Sequence, residues 1–372
     1  MEKETIIITN PMIAANRSAE VTLSKFLRVI HPCFDSIRVI GGNLSVESDL
    51  SGIKLCSYSI IRAENKIKRI LDVFGLQFKM AGSIFKYAKK DCPIYFWIAD
   101  KMIIPYLAAK MKGAEINYFI YGNVAKEGTA SRFTHLSSKL IRLMAAHADF
   151  TCIESKSVIH EWPGLKCKAI REIHLYTEST GMNPIKERKN IFGMVCRLTA
   201  GKHVLECIEA MNQVHKCYPD WHLEVIGSGR QQAECEQLIE KLEAGKYVKL
   251  LGWVDHKEIV ERSKQWKYLL FPTDTEGMPN ALIEMMGRGI PALASPVGGV
   301  ADLIVDQVNG VVLSGYSDGD IVVTMQKAIA VSEDAENYSL MAERAFQTIK
   351  NEFVLETAQK AAMRTIDSYT EN

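Results

Sequence analysis

The chain has 372 residues, 47% of them hydrophobic and 24% charged, and a net charge of +1. That balance excludes a disordered chain, a collagen-like repeat and a coiled-coil rod, and the length fits two domains rather than one. No stretch approaches the ~20 apolar residues that a membrane span needs. The opening Met-Glu-Lys-Glu-Thr reads as the approach to a strand, not as a secretory leader. Nine cysteines without a Cys-x-x-Cys pair fit a reduced, cytoplasmic protein better than a disulfide or zinc framework.

The small net charge hides an asymmetry. Residues 1–175 carry 25 Lys and Arg against 16 Asp and Glu, a net +9, whereas residues 176–372 carry 20 against 28, a net −8. A basic half of this kind is expected to face an anionic partner: a membrane surface, a phosphorylated acceptor or nucleic acid. No aromatic-interleaved basic patch or nucleic-acid motif supports the last of these.

In chain order, residues 5–9 read as a strand and 18–30 as a helix with Val21, Leu23, Phe26, Leu27 and Ile30 on its apolar side. Strands at 36–40 and 54–59 lead into a long basic helical segment, 62–90. Strands at 94–98 and 116–121 flank a helix at 101–111. Between 177 and 190, Ser-Thr-Gly and Asn-Pro mark a linker. The alternation then resumes. Strands fall at 191–198, 222–226, 248–251, 268–271, 292–295 and 311–313; helices fall at 202–216, 229–242, 257–264 and 279–288 and fill most of the remainder. Such alternation predicts α/β architecture with parallel sheets covered on both faces. The expectation is two doubly wound, Rossmann-like domains facing across a cleft, residues 1–176 and 190–354, with a last helix from about 355 packing back on the first. Ligands of such sheets bind beyond the carboxyl ends of the strands.

Within 62–90, Ile67, Leu71, Phe74, Phe78, Phe85 and Ala88 fall at helical spacing among Lys66, Lys68, Arg69, Lys79, Lys86, Lys89 and Lys90. The period places the apolar stripe on the sheet, with the cations outward where anionic lipid would meet them. Gly75 and Gly82 are expected to break the helix.

Chemistry concentrates in Phe271-Pro-Thr-Asp-Thr-Glu-Gly-Met-Pro-Asn-Ala-Leu-Ile-Glu284. A buried strand ends, a loop carries Glu276 and Gly277, and Pro279 opens a helix, where its missing N–H costs nothing. The first turn of such a helix is an anion site. Glu276 precedes the helix and Glu284 lies one and a half turns inside it, positions from which both could reach one ligand at different depths; taken alone, they read equally as a capping carboxylate and a solvated helix residue. Arg197 ends the first strand of this half and Lys202 follows at the next helix, two cations well placed for a diphosphate. Gly227-Ser-Gly229 and Pro296-Val-Gly298-Gly299 add glycine turns along the same sheet edge.

With Leu-Leu-Gly-Trp253-Val254 and Gly-Gly-Val-Ala-Asp302, this set resembles the retaining nucleotide-sugar glycosyltransferases of family 4, whose fold is the two-domain GT-B architecture. The resemblance covers about 190–315, extends to Ala148-Asp149 with Ser155, and fades before 115. It implies that Glu284 binds ribose hydroxyls and Glu276 hydroxyls of the transferred sugar. Backbone N–H groups of Gly277, Met278, Asn280 and Ala281 in the turn shaped by Pro279, with the Gly227 and Gly298–Gly299 turns, would hold sugar and phosphate. Trp253 and Val254 would sit beside the base. Arg197 and Lys202 would neutralise the departing diphosphate. No cofactor or metal is implied, because the nucleotide diphosphate sugar is the donor substrate and the two cations take the metal's place. The partner implied is a glycan or lipid-linked acceptor on the cytoplasmic face of a membrane.

Two departures stand out. Residues 10–18 lack the family's glycine-rich loop, and Gly122-Asn123 stands where many members carry a histidine. No catalytic residue of the first half can therefore be named, and His203, where glycine is usual, reads as neutral. Two alternatives stay open: a non-catalytic partner subunit and a transferase acting on a small soluble acceptor. Asp318-Gly-Asp320 precedes an apolar helix, so helix capping explains it better than a metal. A glycosidase pair of Glu276 and Glu284 would leave Arg197 and Lys202 without a task.

Overall fold

The computed structural model describes residues 2–12, 18–46, 50–61, 65–123, 125, 131–178 and 181–367. Most of the 10–18 loop, Arg62 and the tail after 367 lie outside them. The first half runs β1 (Glu4–Ile8), α1 (Ser18–Ile30), β2 (Ser36–Gly42), β3 (Ile53–Tyr58), α2 (Lys66–Tyr87), β4 (Pro93–Phe96), α3 (Ile103–Met111), β5 (Glu115–Phe119), α4 (Arg132–His147), β6 (Phe150–Ile153) and β7 (Ile170–Glu172). These strands form one parallel sheet in the order β3-β2-β1-β4-β5-β6-β7. The second half runs β8 (Ile191–Val195), α5 (Val204–Cys217), β9 (His222–Ile226), α6 (Gln232–Lys241), β10 (Val248–Gly252), α7 (His256–Ser263), β11 (Tyr268–Phe271), α8 (Asn280–Met286), β12 (Ala292–Ala294), α9 (Val300–Leu303), β13 (Gly310–Val312), α10 (Asp318–Glu333), α11 (Ala335–Glu352) and α12 (Leu355–Asp367). Its strands form a second parallel sheet, β10-β9-β8-β11-β12-β13.

Both sheets are doubly wound because their strands are apolar on both faces. One face of the first sheet packs Ile6, Ile8 and Phe96 against Leu76, Met80, Ile84 and Ala109 of α2 and α3. The other packs Ile7, Tyr95 and Trp97 against Leu23, Phe26 and Leu27 of α1 and Ala358, Ala362 and Ile366 of α12. The last helix thus crosses back to complete the first core. Gln359 Nε2 donates to Arg28 O at 2.9 Å, and Lys3 pairs with Asp367. In the second sheet, Gly193 lies directly beneath the fully buried Trp266 ring. Strands β6 and β7 escape the sequence pattern because they are only four and three residues long; the 16-residue α4 between β5 and β6 is a further element that the sequence reading leaves unassigned.

Several expectations are corrected. Helix α2 runs unbroken through Gly75 and Gly82, both of which face open space where a glycine costs about 1 kcal/mol rather than a break. Its buried face is Leu76, Met80 and Ile84, while Leu71, Phe74, Phe78 and Phe85 are exposed. Four of the six residues assigned to the core stripe therefore face outward; Ala88 is buried as expected, and the Ile67 side chain lies outside the described residues. Helix α8 starts at Asn280, with Pro279 as its N-cap rather than its first residue. Ser317 caps α10, accepting from Asp320 N while the Asp320 carboxylate accepts from Ser317 N. Among the described residues, no group of three His, Cys, Asp or Glu could hold a metal ion, and no helix is long and apolar enough to cross a membrane.

A β-carbon on Gly193 would sit 2.0 Å from the Trp266 ring. Gly193→Ala should therefore cost about 1–3 kcal/mol or more by overpacking. A denaturant titration with an unchanged midpoint would show that the sheet yields there without cost.

Candidate active site

The loop between β11 and α8 is pinned before any ligand arrives. Thr273 N donates to Ser295 Oγ at 3.0 Å, Tyr316 OH to Thr273 O at 2.8 Å, and Asp274 N to Gly201 O at 3.1 Å. The last bond ties this loop to the 199–203 turn that carries Lys202. Lys202 Nζ donates to Thr273 Oγ1 at 2.9 Å and forms an ion pair with Glu276, both side chains being largely buried. Arg197 lies exposed on the neighbouring turn. The structure thus joins Lys202 directly to Glu276, two residues the sequence assigned to different parts of a ligand.

His203 leaves the spacing of the motif intact but makes contacts of its own. It adopts a left-handed conformation (φ 49°) at the N-cap of α5, where glycine would be free of strain. Its Nε2 lies 2.7 Å from Asp274 Oδ1 and its ring stacks on Tyr316 at 4.2 Å. Burial alone would lower its pKa, but the Glu206 and Asp274 carboxylates outweigh burial and raise it.

Glu284 projects from α8 into a cationic setting that the sequence did not expose. It pairs with His256 of α7, and Arg288 stands 3.6 Å away. Burial raises its pKa, yet His256, Lys25 of α1 and Arg288 together hold it below the ordinary carboxylate value. Lys25 belongs to the first half, so Glu284 faces the cleft between the sheets. Ala281 packs on the core beneath α8, and the Asn280 Oδ1 atom is buried with no hydrogen-bond partner among the described residues. Trp253 is exposed and Val254 half-buried, just after Gly252 turns the chain at φ 69°.

The glycine turns serve close backbone approach. A β-carbon on Gly227 would lie 1.8 Å from Cys196 O, and one on Gly298 would lie 1.9 Å from Glu276 O. Gly299 N donates to Gly277 O at 2.7 Å. These turns shape the loops that carry Arg197 and Glu276.

The sequence missed what closes the site from the other half. Glu154, after β6, accepts from Met278 N at 3.2 Å, and Glu161 accepts from Gly298 N at 3.0 Å. Pro279 has no N–H. Two N–H groups expected to face a ligand are therefore paired with carboxylates of the first half. Burial pushes the Glu154 carboxyl up to about 8, with nearby Glu276 adding to the rise. Asp302 of α9 accepts from Ser155 Oγ, Ser157 Oγ and Ser157 N. Gly122 lies so close that a β-carbon would meet Thr275 Oγ1 at 2.4 Å and Glu276 N at 2.8 Å. In this arrangement any side chain at 122, a histidine included, would collide with Thr275 and Glu276. The only sequence signal was its glycine.

Residues 177–345 match the family described as glycosyl transferases group 1. The two parallel α/β sheets are the GT-B architecture, and that segment belongs to the group 1 family. A stretch of 123 residues is 32% identical to the UDP-N-acetylglucosamine–peptide N-acetylglucosaminyltransferase GtfA subunit of Limosilactobacillus reuteri, covering 33% of this chain and 23% of that protein. The chain thus matches less than a quarter of the length of such relatives. A stretch of 135 residues is 30% identical to the lipopolysaccharide 1,6-galactosyltransferase of Escherichia coli, covering 35% of this chain and 36% of that one. Among solved structures, Anabaena HepE in complex with UDP and glucose superposes with a TM-score of 0.76 at 17% identity, over 99% of this chain and 100% of that one.

The raised His203 pKa fixes a sign. The stabilisation is fully present below the ordinary value of 6.5 and is lost as pH rises through the higher folded value. His203→Asn, which tolerates the left-handed backbone, should show its largest loss of Tm below pH 6.5 and a shrinking loss above. A pH-independent deficit would mean that packing on Tyr316, not charge, is what the histidine supplies.

Proposed function

We propose that the chain is a retaining glycosyltransferase that moves a sugar from a nucleotide diphosphate sugar to an acceptor hydroxyl, without a metal, in cytoplasmic synthesis of a cell-surface or lipid-linked glycan. The observation that carries this reading is the Lys202–Glu276 pair at the carboxyl edge of a parallel sheet, with Arg197 beside it and Glu284 among cations further along α8. A sugar diphosphate carries both groups that this pair wants: phosphate oxygens for the ammonium and hydroxyls for the carboxylate. Each partner in the ion pair stands in for part of the ligand to the other. Likeness to a structure that holds UDP and glucose and to a lipopolysaccharide galactosyltransferase supports the donor and acceptor classes.

In this reading the C1–O bond to the distal phosphate breaks and the electron pair leaves with the nucleoside diphosphate. The acceptor oxygen bonds C1 and passes its proton to the departing phosphate oxygen. Lys202 and Arg197 stabilise charge that grows on the leaving phosphate, an effect worth more in the transition state than in the bound donor. Glu276 fixes the sugar and Glu284 the ribose.

A panel of nucleotide sugars scored by thermal shift tests the class. A ligand at 100 times its dissociation constant stabilises by about 2.7 kcal/mol, and a panel in which nothing shifts Tm would overturn the reading. Arg197→Ala and Lys202→Ala should each lower turnover on the order of a hundredfold, since one preorganised contact is worth about 2.7–4 kcal/mol. Near-parental rates in both would remove the diphosphate assignment. The glutamates should separate. Glu284→Gln should weaken binding of free nucleoside diphosphate, measured by calorimetry. Glu276→Gln should hold or strengthen it, because Lys202 is released, while transfer falls. Equal losses of nucleotide affinity would erase that distinction.

A further inference from the structure

We propose that the outward face of α2 is a membrane-docking surface that inserts its aromatic side chains into an anionic lipid interface. Ile70, Leu71, Phe74, Phe78 and Phe85 are all exposed, Leu71 and Phe78 by nearly two thirds. At 3.6 residues per turn they share an arc of about 100°. Exposed apolar side chains occur singly on any surface, but five on one helical stripe form a continuous face that water solvates poorly. Lys68, Lys79 and Lys86 form an exposed row along one border of that arc, and Asp72 is the only acidic residue of the helix. The opposite border is the buried face of Leu76, Met80 and Ile84. An apolar stripe edged by cations, on a helix lying flat against its domain, fits a surface that is apolar inside and anionic at its headgroups. The charge of the whole first half has the same sign.

The placement carries the argument further. Leu76 lies against Gly42, the last residue of β2, and the Gln77 side chain accepts from Ile104 N in the first turn of α3. Both mark the carboxyl edge of the sheet. Residues 66–75 therefore run on past that edge by about 15 Å, toward the side on which the cleft opens. Ile70, Leu71 and Phe74 belong to that projecting part. The surface assignment does not depend on the chemistry of the cleft. If transfer is that chemistry, the same geometry brings the cleft to an acceptor held in lipid.

Docking of this kind differs from purely electrostatic attachment. Salt screens the cations, with a Debye length of about 10 Å at 0.1 M, but leaves the inserted rings. Lys89 is already paired with Glu4 at 2.9 Å, so the border cations to change are Lys68, Lys79 and Lys86.

The test is co-sedimentation of the full chain with vesicles of phosphatidylcholine alone or mixed with phosphatidylglycerol. The expected result is binding to the mixed vesicles, weak binding to the neutral ones, and partial retention at high salt. Phe74→Ser with Phe78→Ser should weaken binding by about tenfold or more, with Tm and nucleotide binding unchanged because both rings are exposed. Changing Lys68, Lys79 and Lys86 to Glu should weaken binding from the electrostatic side. In Phe78→Trp, bromine-labelled lipid should quench fluorescence beyond the parent's own tryptophans. No binding to mixed vesicles, or unchanged binding by the double serine variant, would overturn the proposal. So would a double serine variant that converts a dimer to a monomer by light scattering, because the face would then be covered by a second copy.

Discussion

The two sheets are held face to face by polar atoms. Of the four apolar clusters, none joins residues of the first sheet to residues of the second; among the described residues, α12 carries apolar side chains across and the Phe353 ring meets His174. Direct polar contacts include Glu154 to Met278 N, Glu161 to Gly298 N and Thr275 Oγ1, Thr177 N to Phe353 O, and Asp302 to Ser155 and Ser157. A hydrogen bond nets about 0.5–1.5 kcal/mol because water offers the same partners, and those to charged groups net more. A seam built this way is specific in register yet cheap to exchange for other polar partners. An apolar seam of equal size would be neither.

The same economy shapes the chemistry on the seam. The loop after β11 presents N–H groups toward the cleft, and an N–H array of that kind attracts anionic oxygen. Where the halves touch, the first half supplies carboxyl oxygens instead, Glu154 to Met278 N and Glu161 to Gly298 N. Burial keeps the Glu154 carboxyl protonated up to about pH 8, so it adds little negative charge beside Glu276 near neutrality. Glu276 in turn finds its counter-charge in Lys202 rather than across the seam. Lys202 and Glu276 thus balance one another, and Glu284 is balanced by His256, Lys25 and Arg288. A donor that brings both phosphate and hydroxyls can replace such internal pairs without stranding a buried charge.

Much of the fold and the second half of the site was legible in the sequence, because both rest on local pattern. Apolar runs that end in Gly-Ser-Gly or Glu-Gly-Met-Pro announce strand, turn and helix wherever they stand. Arg197, Lys202, Glu276 and Glu284 share one sheet edge because each follows or approaches a strand end of the same sheet. What was not legible depends on contacts between segments far apart in the chain. Glu154 and Glu161 carry no local signature, because their partners are backbone N–H groups more than a hundred residues away. His203 looked neutral because neither its left-handed backbone nor the Asp274 carboxylate 71 residues on is written beside it. Gly122 read as a missing histidine until Thr275 and Glu276 were seen pressing on it.

Helix α2 gives the sharpest case of what period can and cannot say. A helical repeat of apolar side chains establishes that one face prefers to leave water; it does not say what covers that face. In α2 two apolar faces adjoin, one of Leu76, Met80 and Ile84 and one of the exposed aromatics. A strand in the middle of a doubly wound sheet has neighbours on both sides, and a helix above it is bordered by other helices. Helix α2 follows β3, the edge strand, and has α3 packed along one side. With sheet and helix covering only part of its circumference, it can bury one of its two apolar faces, and steric fit to Gly42 and the α3 turn selects the one carrying Leu76 and Gln77. The aromatic face is left by topology, not by composition. The helical period alone does not distinguish the two faces; the edge position of β3 accounts for the one left uncovered.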